Sequence, residues 1–444
     1  MIQSFKSFSN TVNRPKPTKP AQLQLKSKTM RESFIQQFIF LKSDPFSKEL
    51  YIGSDKQLRI SKLLENLDAL SAAIAYRHLD DGHILTNTDM LISVVTASVD
   101  RIDLITIPSF NMDLKIYGHV SYVGHSSMEV SLTIIHILYN QDYKLPDLQV
   151  FDNSSIPIYT AASPESSGIV SRVYLDSGNM HVNELNKNII KTIPVMSAKF
   201  LMVARCALLH KAVQVHPLKL RNEKEQTIYN NGHQLRNLKR LQQQQSLLNF
   251  PPTPSELKTI HDLFINELNG NLLHHQSATI NGMADLNKCY MKSTTLEITL
   301  VTQPQDRNVH NFIFGGYLLK TAFELAKTTA ILFTNCKLVD FQNMDDVLFR
   351  LAVPIGSILR FRAMVVYSIP FHERQTIPKK WKESFLVQVV ADVKDEDQFD
   401  TSNIFYFTFK PSEEVNVKFI VPETYQESML YLQGKRTFEQ GMQY

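Results

Sequence analysis

One pattern occurs twice in this chain, and it limits the folds that the chain can adopt. Apolar residues recur at three- and four-residue spacing in residues 59–76 and again in residues 317–334, as on a helix with one buried face. Runs that alternate apolar and polar residues, as half-buried strands do, follow each helix. The repeat distance is roughly 250 residues, which predicts two copies of one domain packed together as a pseudo-dimer.

The strands expected around each helix follow from alternation and from turn residues. In the first copy, residues 91–105 are rich in Val, Ile and Thr, and residues 116–135 form two alternating runs around a glycine-containing turn. In the second copy, strands are expected at residues 347–353, 359–367, 385–393 and 404–409. An antiparallel sheet wrapped around one long apolar helix describes the hotdog fold. We therefore predict an α+β chain made of two such domains, a double hotdog.

Changes in composition suggest the domain boundaries. The chain has 444 residues, of which 43% are hydrophobic, so each copy can bury a core of its own. We expect a first hotdog domain at 46–209, a helical linker at 210–285 and a second hotdog domain at 286–444. Residues 1–45 precede them, and residues 1–31 contain seven Lys or Arg and no acidic residue. This composition is typical of a transit segment for the mitochondrial matrix, and a disordered basic tail shares it.

Several classes of function receive no support from the sequence. The net charge of +4 is small for this length and gives no reason to expect a nucleic-acid partner. Three widely spaced cysteines predict a reducing compartment rather than a disulfide framework. No apolar run reaches membrane-spanning length, so we expect no stable membrane insertion. We find no phosphate-binding loop or dinucleotide fingerprint, and residues 78–83 look more like a solvated loop than a metal site; we expect neither cofactor nor metal.

The second helix begins with an unusual pair of glycines. Gly315 and Gly316 permit close approach of another backbone, and a helix entrance leaves amide N–H groups pointing outward. Such an entrance suits a polarised carbonyl or a developing negative charge. A tight turn before a core helix would use the same residues, so the sequence alone leaves both interpretations open.

The first helix carries an acid on its apolar face. Asp68 shares that face with Leu64, Ser71, Ala72 and Ala75. A buried carboxylate is costly without a partner, and burial raises its pKa toward the range of a useful general base. An aspartate at the edge of the face, exposed to solvent or capping a neighbour, is the alternative.

The chain resembles a known enzyme family. Phe314-Gly315-Gly316-Tyr317-Leu318-Leu319, preceded by Asn308, is similar to the signature of hotdog acyl-CoA thioesterases. More narrowly, the chain resembles the mitochondrial double-hotdog members of that family, and the likeness covers nearly everything after residue 50. Further matching stretches are residues 58–78, 99–103, 118–130, 202–205, 259–261 and 427–434.

The resemblance implies an enzyme that hydrolyses acyl-CoA to a free carboxylic acid and coenzyme A. It implies catalytic roles for Asp68 as base or nucleophile, and for Asn308, Gly315 and Gly316 in positioning the water or the carbonyl. Because the position of Asp68 in the second helix is occupied by Phe323, only one of two pseudo-symmetric sites would be complete. Substrate contacts are expected, with less support, from five further residues: Gly124, Ser126, Ser127, Tyr317 and Glu324.

Three questions stay open at this stage. Asp68 could activate a water or attack the thioester directly through a mixed anhydride. A hotdog hydratase or dehydratase would act on the same thioesters, and a module that binds acyl-CoA without turnover belongs to another functional class. The chain could also assemble into homo-oligomers, and the sequence does not decide this.

Overall fold

The computed structural model describes most of the chain. The described residues are 25–42, 44–80, 92–140, 185–206, 211–244, 247, 250–274, 287–308, 312–371, 373–395 and 397–442. Most of the basic N-terminal segment expected to direct import, residues 1–24, lies outside the described residues. The end of the expected linker, residues 275–286, lies outside them as well.

The first module is built from one long helix and five strands. A 3₁₀ turn at Met30–Ser33 precedes β1, and the long helix α2 follows a short helix α1. A second long helix, α3, follows the last strand of the module. The elements are β1 (Ile35–Ile39), α1 (Pro45–Tyr51), α2 (Ile60–Leu79), β2 (Ile92–Leu104), β3 (Asp113–Val123), β4 (Ser127–Tyr139), β5 (Ile189–Cys206) and α3 (Glu223–Gln244).

The second module repeats this order after a connecting helix. A 3₁₀ turn at Met291–Thr294 again precedes the first strand of the large sheet, and a helix again ends the module. The elements are α4 (Pro254–His274), β6 (Lys288–Tyr290), β7 (Leu296–Val301), α5 (Gly315–Thr334), β8 (Val339–Met344), β9 (Val347–Leu348), β10 (Ile358–Ser368), β11 (Phe385–Asp395), β12 (Gln398–Pro411), β13 (Phe419–Val421) and α6 (Tyr425–Met442).

The strands of both modules join in one 11-stranded sheet. Its order is β1-β3-β4-β5-β2-β8-β12-β11-β10-β7, with β9 paired to β2. The first five strands and the last five therefore have the same order, read outward from the centre in each half. The modules meet where β2 and β8 pair, at Ile102 with Met344 and Asp103 with Asn343. The predicted double hotdog is confirmed: each half is an antiparallel sheet wrapped around one long helix.

A matched pair of hydrogen bonds shows how closely the modules correspond. The Val120 N–H donates to Ser33 Oγ at 3.0 Å in the first module. In the second module, the Val365 N–H donates to Thr294 Oγ1 at 3.0 Å. In both, a hydroxyl of the 3₁₀ turn accepts a hydrogen bond from a backbone N–H of the strand next to the edge of the sheet, β3 or β10.

The central helices of the two modules, α2 and α5, form because their apolar positions recur at helical spacing. Each buries its apolar face against the sheet. On α2, Leu63, Leu67, Leu70 and Ile74 are fully buried in a core that continues across both modules. Gly118 on β3 allows this close packing, because a Cβ there would lie 3.1 Å from Ile74 Cδ1. The predicted hairpin is also confirmed: β3 and β4 pair from Asp113 with Ile137 to Val123 with Met128.

Three features differ from the expectations. Residues 30–39 belong to the first module, since β1 pairs with β3 and is buried along its whole length, so a boundary at residue 45 is too late. The strand expected at 347–353 is limited to Val347–Leu348, and the strand before it, Val339–Met344, has weak alternation and was missed. The expected linker also does more than connect, because Gly232 of α3 packs against Tyr122 of β3.

Candidate functional site

The site is formed where α2 and α5 cross with opposite directions. The start of α5 lies beside the middle of α2, where the two backbones approach closely at Gly316. A Cβ on Gly316 would lie 3.1 Å from both the Cα and the carbonyl oxygen of Glu65. A Cβ at this distance would force one of the two backbones to shift, so the structure supports the close-approach interpretation of the glycine pair.

Asp68 is buried at this crossing. Its side chain has no exposed surface, and its Oδ1 accepts a hydrogen bond of 2.8 Å from Thr96 Oγ1 on β2. Its Oδ2 is buried and has no hydrogen-bond partner among the described residues. Oδ2 points toward the glycine pair, since a Cβ on Gly315 would lie 2.9 Å from it. The first module therefore presents an acid to the helix entrance of the second.

Burial dominates the electrostatics of this acid. The pKa of Asp68 is raised to about 6 from the ordinary value of 3.8, chiefly by removal from water and to a smaller extent by the nearby charge of Glu65. The hydroxyl of Thr96 and the Gly316 backbone N–H oppose that rise; the Gly316 amide does so without reaching hydrogen-bond geometry. A carboxylate with a pKa near 6 is ionised at neutral pH and still takes up a proton readily, as a general base must.

The entrance of α5 has the polarity to stabilise an anion. The first N–H groups of a helix have no acceptor within it, and the helix dipole adds positive potential there. The Tyr317 N–H is used locally, donating to the Phe314 carbonyl at 3.1 Å. The Gly316 N–H is therefore better placed than the Tyr317 N–H to face a substrate.

Asn308 lies in the short loop that leads into α5. Its backbone N–H donates to the Phe312 carbonyl at 2.7 Å, and its Oδ1 accepts from the Phe312 N–H at 3.2 Å. Residues 309–311, which include His310, lie outside the described residues. The described contacts tie Asn308 to its own loop, while those of Gly315 and Gly316 tie the glycines to Asp68 and α2.

The equivalent position in the second module has lost its polar pair. Backbone pairing becomes irregular just after Thr96 on β2, and again just after Phe341 on β8, so these two residues correspond. Phe323 takes the place of Asp68, and its ring lies 5.2 Å from the Phe341 ring, centroid to centroid. An acid and a hydroxyl at one end of the helix pair are thus replaced by two phenyl rings at the other.

The remaining expected substrate residues have structural contacts. Glu324 accepts hydrogen bonds from Arg59 Nε at 2.9 Å and Ser61 Oγ at 2.8 Å, which joins α5 to the start of α2. Ser127 Oγ accepts from Arg236 of α3 at 2.7 Å. Contacts of the other three place them in the same two regions: Gly124 and Ser126 in the β3–β4 turn, and Tyr317, half-buried, in the first turn of α5.

Thr96 was missed because sequence reasoning treated 91–105 only as a strand. A threonine is common in strands, so its type carries no signal by itself. The available signal was its correspondence with Phe341, which required the register of two sheets. Only the fold brings this hydroxyl to within 2.8 Å of Asp68.

Two searches of the described residues gave negative results. Among them, no group of three or more His, Cys, Asp or Glu side chains could hold a metal ion. Nor does any helix in the described part of the chain have the length and apolar character needed to cross a bilayer.

Comparison with known proteins gives close relatives over almost the whole chain. No protein-family model matches the sequence. Acyl-coenzyme A thioesterase 9, mitochondrial, of Bos taurus is 30% identical over 420 residues, which is 94% of this chain and 80% of the relative. The Mus musculus protein of the same name is 29% identical over 423 residues, with the same two coverages of 94% and 80%. Acyl-coenzyme A thioesterase 2, chloroplastic, of Humulus lupulus is 29% identical over 438 residues, covering 96% of this chain and 85% of the relative.

Solved structures give weaker likenesses. An acyl-CoA hydrolase from Staphylococcus aureus is 24% identical, with a TM-score of 0.31, over 35% of this chain and 90% of that one. A 12:0-ACP thioesterase from Umbellularia californica is 8% identical, with a TM-score of 0.41, over 86% of this chain and 95% of that one. Scores this low add nothing to the architecture already established by the sheet order. The full-length relatives decide the family: this chain is a member of the acyl-coenzyme A thioesterases.

Proposed function

We propose that this chain hydrolyses acyl-CoA thioesters to free carboxylic acids and coenzyme A at the crossing of α2 and α5. One observation carries the proposal: the buried carboxylate of Asp68 has a free oxygen directed at the glycine entrance of α5. Membership of the thioesterase family supplies the reaction class. Coenzyme A is part of the substrate, and the reaction as proposed uses no further cofactor.

In the first route, Asp68 acts as a general base. Its carboxylate removes a proton from a water molecule, whose oxygen attacks the thioester carbonyl carbon. The carbonyl oxygen becomes an oxyanion, which the Gly316 N–H and the dipole of α5 stabilise; one well-placed donor contributes about 3–4 kcal/mol in other enzymes. Collapse of the adduct breaks the C–S bond, and the coenzyme A thiolate takes the proton back from Asp68.

In the second route, Asp68 is the nucleophile. Its oxygen attacks the carbonyl carbon and coenzyme A leaves as a thiolate. Water then cleaves the mixed anhydride, which regenerates the Asp68 carboxylate, releases the carboxylic acid and supplies the proton that the thiolate takes up. The partnerless Oδ2 suits this route as well as the first. In both routes Asn308 orients the attacking water or the carbonyl from the loop before α5. A single turnover in ¹⁸O-water that labels Asp68 would identify the second route, because only hydrolysis of the anhydride at its aspartyl carbonyl puts ¹⁸O into the enzyme.

The proposal is tested by thiol release from acyl-CoA substrates of short to long chain. We expect turnover by the wild-type chain and losses of about 100-fold or more for Asp68→Asn and Asn308→Ala. Asp55→Asn is the matched control, because Asp55 is also an acid near α2, in the turn before it, and forms an ion pair with Lys327 of α5. Absence of thiol release by the wild-type chain would exclude hydrolysis. Near-normal rates for one variant would remove that residue from the mechanism.

The names of the relatives support a proposal on where in the cell this chain acts. Acyl-coenzyme A thioesterase 9 of both mammals is named as mitochondrial, and the basic, acid-free residues 1–24 fit import. We propose that this chain acts in mitochondria, in the matrix. Imaging of the full chain with a C-terminal fluorescent tag, followed by protease protection of isolated organelles, tests both parts. Homo-oligomer formation stays a prediction, which light scattering of the purified chain would check.

A further inference from the structure

A segment of the second module crosses to the catalytic half of the molecule. Here β9 pairs with β2, at Leu348 with Ser98 and Val347 with Val99. The Phe349 N–H then donates to the Ala97 carbonyl at 3.0 Å. Ala97 directly follows Thr96, so the backbone that positions the hydroxyl beside Asp68 also holds this segment.

The side chain of Phe349 lies beside Asp68 and the glycine pair. A Cβ on Gly315 would lie 3.3 Å from Phe349 Cε1 and 2.9 Å from Asp68 Oδ2. The ring edge and the carboxylate thus flank the same glycine. The ring is half-buried, and Leu348 and Leu351 beside it are 38% and 45% exposed. The half-buried ring of Phe349 therefore borders the site.

The pseudo-symmetry of the modules gives a second, independent reason to place this segment at the site. At the opposite end of the helix pair lies a shallow cleft bordered by Phe323 of α5. Leu104, the last residue of β2, lines that cleft. The pairing of Val99 with Val347 mirrors that of Ile102 with Met344, which makes Phe349 the counterpart of Leu104. Phe349 therefore borders the site of Asp68 as Leu104 borders the cleft at Phe323.

We propose that Phe349 is a specificity-determining residue that limits the bulk of the acyl group next to the thioester carbonyl. A phenyl edge beside the attacking group suits the apolar acyl side of the substrate better than the pantetheine arm, whose two amides need polar partners. The ring leaves room for an unbranched methylene at the carbon next to the carbonyl and excludes a branch there. The substrate class is thus straight-chain acyl-CoA. This inference rests on the proposed hydrolysis at Asp68.

The experiment compares the full chain with Phe349→Ala, Phe349→Leu and Phe349→Trp on a matched pair of substrates. Butyryl-CoA and isobutyryl-CoA have the same number of carbons and differ in the branch. Thiol release gives kcat and KM for each. Phe46→Ala is the control, since Phe46 lies on α1 and is 57% exposed. Thermal midpoints show whether each variant folds.

The wild-type chain should prefer butyryl-CoA. In Phe349→Ala, the kcat/KM ratio of branched to straight substrate should rise about tenfold or more, the usual effect of about one methylene of space in an apolar pocket. Phe349→Leu should lie between, Phe349→Trp should lower the ratio, and Phe46→Ala should leave it unchanged.

Two results would overturn the inference. If the ratio stays constant while both substrates lose rate equally, the ring has only a structural role. If KM rises equally for both substrates and inhibition by free coenzyme A weakens, the ring contacts pantetheine instead. If Phe349→Ala does not fold, Phe349→Leu and Phe349→Trp decide, because they should shift the ratio in opposite directions. Failure of the proposed function itself would look different, since the wild-type chain would then release no thiol from either substrate.

Discussion

Replacing Asp68 by asparagine should abolish turnover and, at neutral pH, stabilise the fold. The pKa of Asp68 is raised from 3.8 to about 6, chiefly because the carboxylate is removed from water. The folded chain therefore holds a proton on this group more tightly than the unfolded chain does. The contribution of Asp68 to folding stability therefore falls as pH rises from about 4 to about 6 and is constant above that window. At pH 7.5 the charged carboxylate destabilises the fold.

The size of the effect follows from the same numbers. Each pKa unit corresponds to about 1.36 kcal/mol between two protonation states, so the buried charge of Asp68 costs on the order of 3 kcal/mol at pH 7.5. Asparagine has nearly the same shape and can still accept the Thr96 hydrogen bond. Asp68→Asn should recover much of that free energy, raising the thermal midpoint at pH 7.5 by several degrees.

The assay is thermal unfolding of both proteins between pH 4 and pH 8. The difference in thermal midpoint between the two proteins should be largest above pH 6. It should shrink as pH falls toward 4, where Asp68 is protonated and, like the asparagine, carries no charge. Asp55→Asn is an informative control of opposite sign. Burial alone would raise the pKa of Asp55, but its bonds to Lys327 and the Gln57 N–H lower it, so its loss should destabilise the fold at neutral pH. An Asp68→Asn variant that is less stable than wild type at pH 7.5 would refute the reasoning.

Three further predictions follow from the same geometry. Turnover should fall as pH drops below about 6, where Asp68 becomes protonated. In Thr96→Val that fall should begin at higher pH, because no hydroxyl is left to lower the pKa of Asp68. Rate–pH profiles of both proteins, with Thr96→Ser as the conservative variant, test this. Gly316→Ala should lose most activity, since its Cβ would press on the Glu65 backbone at 3.1 Å and push α5 away from α2; normal kinetics with an unchanged midpoint would contradict that geometry. Phe323→Leu should keep the turnover of the wild type, because the second pseudo-symmetric position takes no part in catalysis. The variant should lose about 1–3 kcal/mol of stability, because Phe323 packs in an aromatic cluster. A large loss of kcat would contradict a single complete site.

Local patterns in the sequence were enough to predict the architecture. Helical spacing of apolar residues in 59–76 and 317–334 predicts a helix with one buried face, and alternation in 116–135 predicts a half-buried hairpin. Both patterns can be read from the sequence because they depend only on residues that are close together along the chain. Recurrence of the same order in both halves was enough to infer two like modules. The acid at position 68 and the glycines at 315 and 316 also stood out, since charge on an apolar face and glycine at a helix entrance are local anomalies.

Contacts between distant parts of the chain were decided by the tertiary structure alone. The pairing of Thr96 with Asp68, the position of Phe349 beside Gly315 and the replacement of both polar groups by Phe323 and Phe341 depend on sheet register and on how α5 crosses α2. A strand residue changes face with each single-residue shift in register, and no pattern among neighbouring residues records that register. The elements of this protein follow from nearest neighbours in sequence, and the chemistry of its site follows from the packing of two modules.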